Sequence, residues 1–153
     1  MRKNNLSLCT FEYDGVKLAV YTPCNVYYPF SIDNAPEGIE NAPEFTALWD
    51  TGASISAISK KVIDALGLEI EGSINVATVN GLEKSNTYLI SLILPNNYIQ
   101  ADLTVCECHS SKHDVIVGMD IISKGDFAIT NKDGKTKFTF QIPSTHDIDF
   151  EKE

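Results

Sequence analysis

Phe45-Thr46-Ala47-Leu48-Trp49-Asp50-Thr51-Gly52-Ala53-Ser54 is the stretch that decides the fold. Residues 45–49 have strand character and run without a spacer into Asp-Thr-Gly. A carboxylate at the end of a buried strand is costly unless it is paired or hydrogen-bonded. Thr51 can donate its hydroxyl to backbone, and Gly52 lets another segment of chain come close. Taken alone, the tripeptide fits two readings. Either Asp50 caps a turn whose backbone Gly52 sets, or Asp50 is a working carboxylate.

Downstream, Ser59 stands where it can cap a helix, Val62, Ile63 and Leu66 line one face of it, and Gly67 supplies the stop. Beyond the helix the dominant period is two. Ile74, Val76 and Thr78 alternate up to Asn80-Gly81, and Tyr88, Ile90, Leu92 and Leu94 alternate on the way back. This predicts a long hairpin with Asn-Gly at its tip. Further strands are expected over Leu103–Cys106 and Asp114–Val117, the second ending at Gly118. Phe127 and Ile129 before Asp133-Gly134, with Phe138, Phe140 and Ile142 after it, predict a closing hairpin.

Upstream, Phe11, Tyr13 and then Val16, Leu18 and Val20 predict an opening hairpin around Asp14-Gly15. Residues 22–44 hold four of the six prolines and the tetrapeptide Asn-Ala-Pro-Glu twice. They read as an irregular surface loop with one edge strand over Val26–Phe30. Many short strands and one short helix predict an all-β fold of closed or barrel-like form. A chain of 153 residues suits one domain, 1–153, with its core over about 45–142 and an acidic tail over 144–153.

Leu48-Trp49-Asp50-Thr51-Gly52-Ala53-Ser54 resembles the active-site strand and loop of the retropepsins, the retroviral-type aspartic proteases and their cellular relatives. In the same order, Val79-Asn80-Gly81 looks like the tip of their flap. Val115-Ile116-Val117-Gly118-Met119-Asp120 resembles their second signature, aliphatic residues followed by a glycine that packs behind the catalytic loop. The resemblance implies a retropepsin-like acid-protease barrel with a flap hairpin. It implies Asp50 as the catalytic residue, with Thr51, Gly52 and Ala53 supporting the loop. Leu48, Ser54, Ala57, Val79, Asn80, Gly81 and Ile116 would contact substrate, and Gly118 would pack behind the site.

In that family two aspartates share one proton, because carboxylates about 3 Å apart cannot both ionise. One activates a water for attack on the peptide carbonyl; the other stabilises the oxyanion and helps protonate the leaving amine. This chain holds one Asp-Thr-Gly, so a two-aspartate site requires a second subunit related by two-fold symmetry. The resemblance thus implies a homodimer acting on extended polypeptides. Thr51 of each subunit would hydrogen-bond across the dyad. Two departures stand out. Many viral enzymes carry an acidic residue where this chain has Ser54 and an arginine where it has Met119. Both members of that ion pair are absent together, which fits a cellular branch of the family.

Composition narrows the partners. Twelve basic and 21 acidic side chains give a net charge of −9, which repels phosphate backbones and anionic membranes. No nucleic-acid or membrane partner is expected. The opening Met1–Thr10 has no apolar core of the length a secretory leader needs, and no run approaches the roughly 20 apolar residues of a membrane span. A cytoplasmic location is the expectation. Cys9, Cys24, Cys106 and Cys108 read as reduced thiols. One Cys-x-Cys pair beside His109 is too few ligands for a metal site, so neither metal nor cofactor is expected. His109, His113 and His146 have no cysteine at an exposed elbow to partner. The alternative from a different class is a catalytically silent module of the same fold that binds peptide or dimerises.

Overall fold

Period-two alternation becomes ten strands in the computed structural model, which describes residues 5–153. Met1–Asn4, where the N-terminal leader reading begins, lie outside the described residues. In chain order the elements are β1 (Ser7–Glu12), β2 (Tyr21–Tyr27), β3 (Glu44–Trp49), β4 (Ala57–Ser59) and α1 (Lys60–Leu66). Then come β5 (Gly72–Thr78), β6 (Gly81–Ile93), β7 (Ile99–Cys108) and β8 (Val115–Val117). The chain ends through α2 (Met119–Ile122), β9 (Asp126–Thr130) and β10 (Lys137–Ile142).

Seven strands form one sheet in the order β2-β3-β8-β4-β7-β6-β5. A further pairing of β2 with β6 joins the sheet to itself, so six strands make a ring and β5 hangs outside it on β6 alone. The pairing is mixed: Ala47–Trp49 run parallel to Val115–Val117, and Ala57–Ser59 parallel to Cys106–Cys108. Val26, Ala47, Ile58, Ile90, Leu92, Val115 and Val117 fill the ring, and Val62 and Ile121 close it from the two helices. Each of the valines, isoleucines and leucines among them contributes about 1.5–3 kcal/mol by leaving water. The all-β fold with a closed, barrel-like sheet is as the alternation predicts.

The remaining strands form a second antiparallel sheet, β1-β10-β9. Its inner face carries Phe127, Phe138 and Phe140, and Trp49 packs against all three, with ring centroids 4.9–6.2 Å apart. The residue preceding Asp50 thus joins the two sheets.

Four local expectations need correcting. No hairpin forms around Asp14-Gly15, because β1 pairs with β10 at the far end of the chain, Ser7 opposite Ile142. Residues 13–17 instead dock on Thr136, and Val16 and Leu18 are left exposed. The strand expected over Val26–Phe30 runs earlier, over Tyr21–Tyr27, and belongs to the ring. Its proline is tolerated because Pro23 pairs only with Thr46; pairing on the second side begins at Asn25. Ser59 has an N-cap backbone but its side chain makes no cap bond, since it also ends β4 and its hydroxyl is buried without a partner. A second short helix, α2, follows Gly118, and Ile121 and Ile122 anchor it in the core.

Candidate active site

β3 delivers Asp50 to the mouth of the ring. The Asp50 N–H donates to Val117 O at 3.0 Å, and the Ala53 N–H closes a turn onto Asp50 O at 3.2 Å. The half-buried carboxylate is oriented from within its own loop: the Gly52 N–H donates to Oδ1 at 2.8 Å. A Cβ on Gly52 would stand 3.1 Å from that oxygen, so glycine is what lets the amide come this close. Thr51 is exposed beside it.

The loop rests on the turn after β8. Met119 N–H donates to Ala53 O at 2.7 Å. A Cβ on Gly118 would lie 2.8 Å from that same oxygen and 3.0 Å from Ile55 carbon, so the two turns touch backbone to backbone. Asp120 then ties them together. Its carboxylate accepts from the Ser56 N–H at 2.9 Å and the Ser56 hydroxyl at 2.7 Å. Ser56 Oγ in turn accepts the Gly118 N–H at 3.0 Å. A carboxylate that accepts two hydrogen bonds while sitting in the first turn of α2 is well satisfied. Sequence reasoning missed this clamp because Ser56 and Asp120 stand 64 positions apart in the chain, and the signature that ends at Asp120 does not name Ser56 as its partner. The missing viral-type ion pair at Ser54 and Met119 is therefore not a gap: a neighbouring pair braces the same two turns.

Asp50 opens onto a cleft of about 770 Å³. Of the residues expected at substrate, Ser54, Ala57 and Ile116 line it, together with Gly52 and Ala53 of the loop. Leu48 does not; it is half-buried on β3 beside Ile116 of β8, outside the cleft wall. Val79, Asn80 and Gly81 do not either. They form the hairpin tip, which extends past the cleft, and Val79 is fully exposed. The roof over Asp50 is instead the middle of the hairpin, Ile74–Ala77 with Leu82. The tip turn is Val79-Asn80, with Thr78 paired to Gly81, one residue earlier than the Asn-Gly signal suggests. Gly81 begins β6 at φ 109°. Cys106 and Cys108 also line the cleft, brought there by the pairing of β7 with β4. Burial pushes the Cys106 thiol pKa up. All four cysteines are free.

A ring of strands that presents Asp-Thr-Gly at its mouth, backed by an aliphatic-Gly turn and roofed by a pendant hairpin, is the retropepsin-like aspartic protease fold. The chain belongs to the family described as "gag-polyprotein putative aspartyl protease", which matches residues 37–124. Among solved structures it is similar to a retropepsin-like aspartic protease from Rickettsia conorii, with a TM-score of 0.57 and 15% identity, covering 93% of this chain and 98% of that one. It is also similar to the EIAV protease solved with the inhibitor HBY-793, with a TM-score of 0.52 and 13% identity, covering 72% of this chain and 91% of that one. No curated protein sequence matches it. No helix among the described residues is long and apolar enough to cross a membrane.

Proposed function

We propose that the protein is an aspartic endopeptidase that hydrolyses extended polypeptides as a homodimer, Asp50 of each subunit supplying half of the catalytic pair. Residues 1–153 are read as one domain of this kind. The observation that carries the proposal is the oriented, half-buried Asp50 carboxylate at the base of an open cleft, one per chain. One carboxylate cannot be base and acid at once. Two that share a proton can: the ionised member takes a proton from water as the water attacks the carbonyl. The protonated member donates to the developing oxyanion, and a proton then passes to the leaving amine. The dyad titrates as a unit. Exposed Thr51 is free to reach across the two-fold axis and brace the loops.

The cleft wall near Asp50 is apolar, with Ala57, Ile74, Val76 and Ile116, so hydrophobic side chains on either side of the scissile bond are the favoured substrate class. The pendant hairpin supports a lid that admits peptide and then excludes water. No cofactor enters this chemistry, and a net charge of −9 keeps nucleic acid and membranes out of the reading; a cytoplasmic setting is part of the same proposal.

Asp50→Asn tests it. Cleavage of an unbiased peptide library should fall by about 10³-fold or more, while dimerisation and circular dichroism stay unchanged. Wild-type protein that binds library peptides without cutting them would replace the enzyme with the silent binding module.

A further inference from the structure

The roof of the cleft carries a reactive dipeptide that the two-aspartate chemistry does not use. We infer that Asn80-Gly81, at the tip of the roof hairpin, is a self-modification site. The Gly81 backbone nitrogen attacks the Asn80 side chain, the asparagine becomes aspartate and isoaspartate, and the isoaspartate form disables the roof. The effect on turnover rests on the peptidase reading above; the modification itself does not.

Three observations carry it. First, Asn80 is the one asparagine in the chain that precedes a glycine. A Cβ on the following residue would crowd the attacking nitrogen, and Gly81 has none. Nothing lies within 4 Å of where that Cβ would stand, so the neighbours leave room for ring closure. Second, the reacting groups are accessible. Asn80 is exposed, and in the turn its backbone N–H, not its carboxamide, is held, donating to Thr78 Oγ1 at 3.2 Å. The attack needs the backbone at the tip to rotate. β5 pairs only with β6 among the described residues and both are largely exposed toward the tip, so local opening is cheap there. Third, the product would be felt in the cleft. Thr78 pairs with Gly81 to close the turn, and the next pair down is Ala77 with Leu82. Both members of that pair line the cleft. Isoaspartate adds a carbon to the main chain between residues 80 and 81, so the closing pair and the roof pair below it lose their alignment.

The steps balance. The Gly81 nitrogen gives its proton to solvent base and bonds to Asn80 Cγ, closing a succinimide ring. The Cγ–Nδ2 bond breaks, and the side-chain nitrogen takes up a proton and leaves as ammonia. Water then opens the ring at either carbonyl, giving aspartate or isoaspartate. Water is the only co-reactant, and either product adds a negative charge to a chain already at −9.

Purified wild type, incubated at mildly alkaline pH and followed by peptide mapping with mass spectrometry, tests this. Position 80 should deamidate at least about tenfold faster than Asn34 and Asn97, which are also exposed but precede Ala35 and Tyr98. Gly81→Ala should slow the reaction at position 80 by a similar factor. Asn80→Gln, which would have to close a larger ring, should stay unmodified. Cleavage of the peptide library, scored against each protein's own unaged rate, should fall in the wild type in step with isoaspartate and hold in Asn80→Gln. Deamidation at position 80 no faster than at Asn34 and Asn97 would overturn the site, as would a wild-type rate in Gly81→Ala. Isoaspartate that accumulates with no loss of cleavage would overturn its effect on the roof. Fresh wild type that cuts nothing removes the peptidase reading instead. The map then still decides the modification, and peptide binding by aged and fresh protein decides its effect.

Discussion

The floor of the cleft and its roof are built on opposite terms. In the floor, backbone meets backbone: Ala53 O takes the Met119 N–H, Gly118 has no room for a methyl group, and Ser56 is held by Asp120. In the roof, β5 pairs with no strand but β6 among the described residues, and most residues from Gly72 to Lys84 are exposed. A Cβ on Gly81 would meet nothing within 4 Å. The same short chain therefore combines a reacting group fixed by its surroundings with a cover that little packing restrains. Fixed geometry is what a catalytic carboxylate needs, and few buried contacts are what a lid needs.

Substitutions at equivalent depth in the two regions should separate these roles. Gly118→Ala should have the largest effect. Its methyl group would press on two backbone atoms that cannot move independently, costing about 3 kcal/mol and lowering the melting temperature by about 6–12 °C, with activity lost alongside. Asp120→Ala comes next. It strands the Ser56 N–H and hydroxyl, which should cost about 2 kcal/mol. Peptide turnover should fall further than that loss of fold explains, because the Asp50 loop loses its brace; Asp120→Asn should restore part of both. If Asp120→Ala lowers stability but leaves kcat intact, the clamp supports the fold and not the site.

Gly81→Val probes the roof. The backbone conformation there disfavours a branched side chain, yet no neighbour is crowded, so the melting temperature should move by only a few degrees while kcat/KM falls about tenfold. Equal losses would make the hairpin an ordinary structural turn.

The smallest effect tests a carboxylate outside the cleft. Hydrogen bonds from Ser144 and the amides of Thr145 and His146 hold the Asp126 carboxyl well below the usual carboxylate range. A group depressed on folding stabilises the protein above the ordinary value near pH 4, and that stability is lost as pH falls toward the folded value. Urea midpoints should therefore drop between pH 5 and pH 2 more in the wild type than in Asp126→Asn. Neutral-pH cleavage should be little changed. An identical acid response in both proteins would remove Asp126 from the account.

The floor was the more legible region in the sequence, for a physical reason. Asp50-Thr51-Gly52 and Val115–Gly118 are local patterns whose chemistry is stated within a few residues, and the hairpin and helix 60–66 follow from periodicity and Gly67. What was not legible lies in contacts distant along the chain. Ser7 finds Ile142, and Ser56 finds Asp120, through the fold alone. Asp14-Gly15 carries a real turn signal, with Gly15 at φ 76°, but a turn does not say which strand its flanks will join. The hairpin tip was misread for a subtler reason. Asn80-Gly81 marks positive backbone torsion correctly, yet Gly81 spends it in opening β6 and not in the loop. Leu48 was assigned to substrate by analogy of position; it shares a sheet face with its partner Ile116, yet only Ile116 lines the cleft of the single chain.

Trp49 is the sole tryptophan in the chain, buried, with Nε1–H donating to Thr22 Oγ1 at 2.8 Å. One indole therefore reports optically on the contact between the two sheets, one residue from Asp50. Its emission should be blue-shifted in the folded protein and move to the red when the sheets part. A shift or quench on adding a peptide, or on raising protein concentration, would register events at the site without any label.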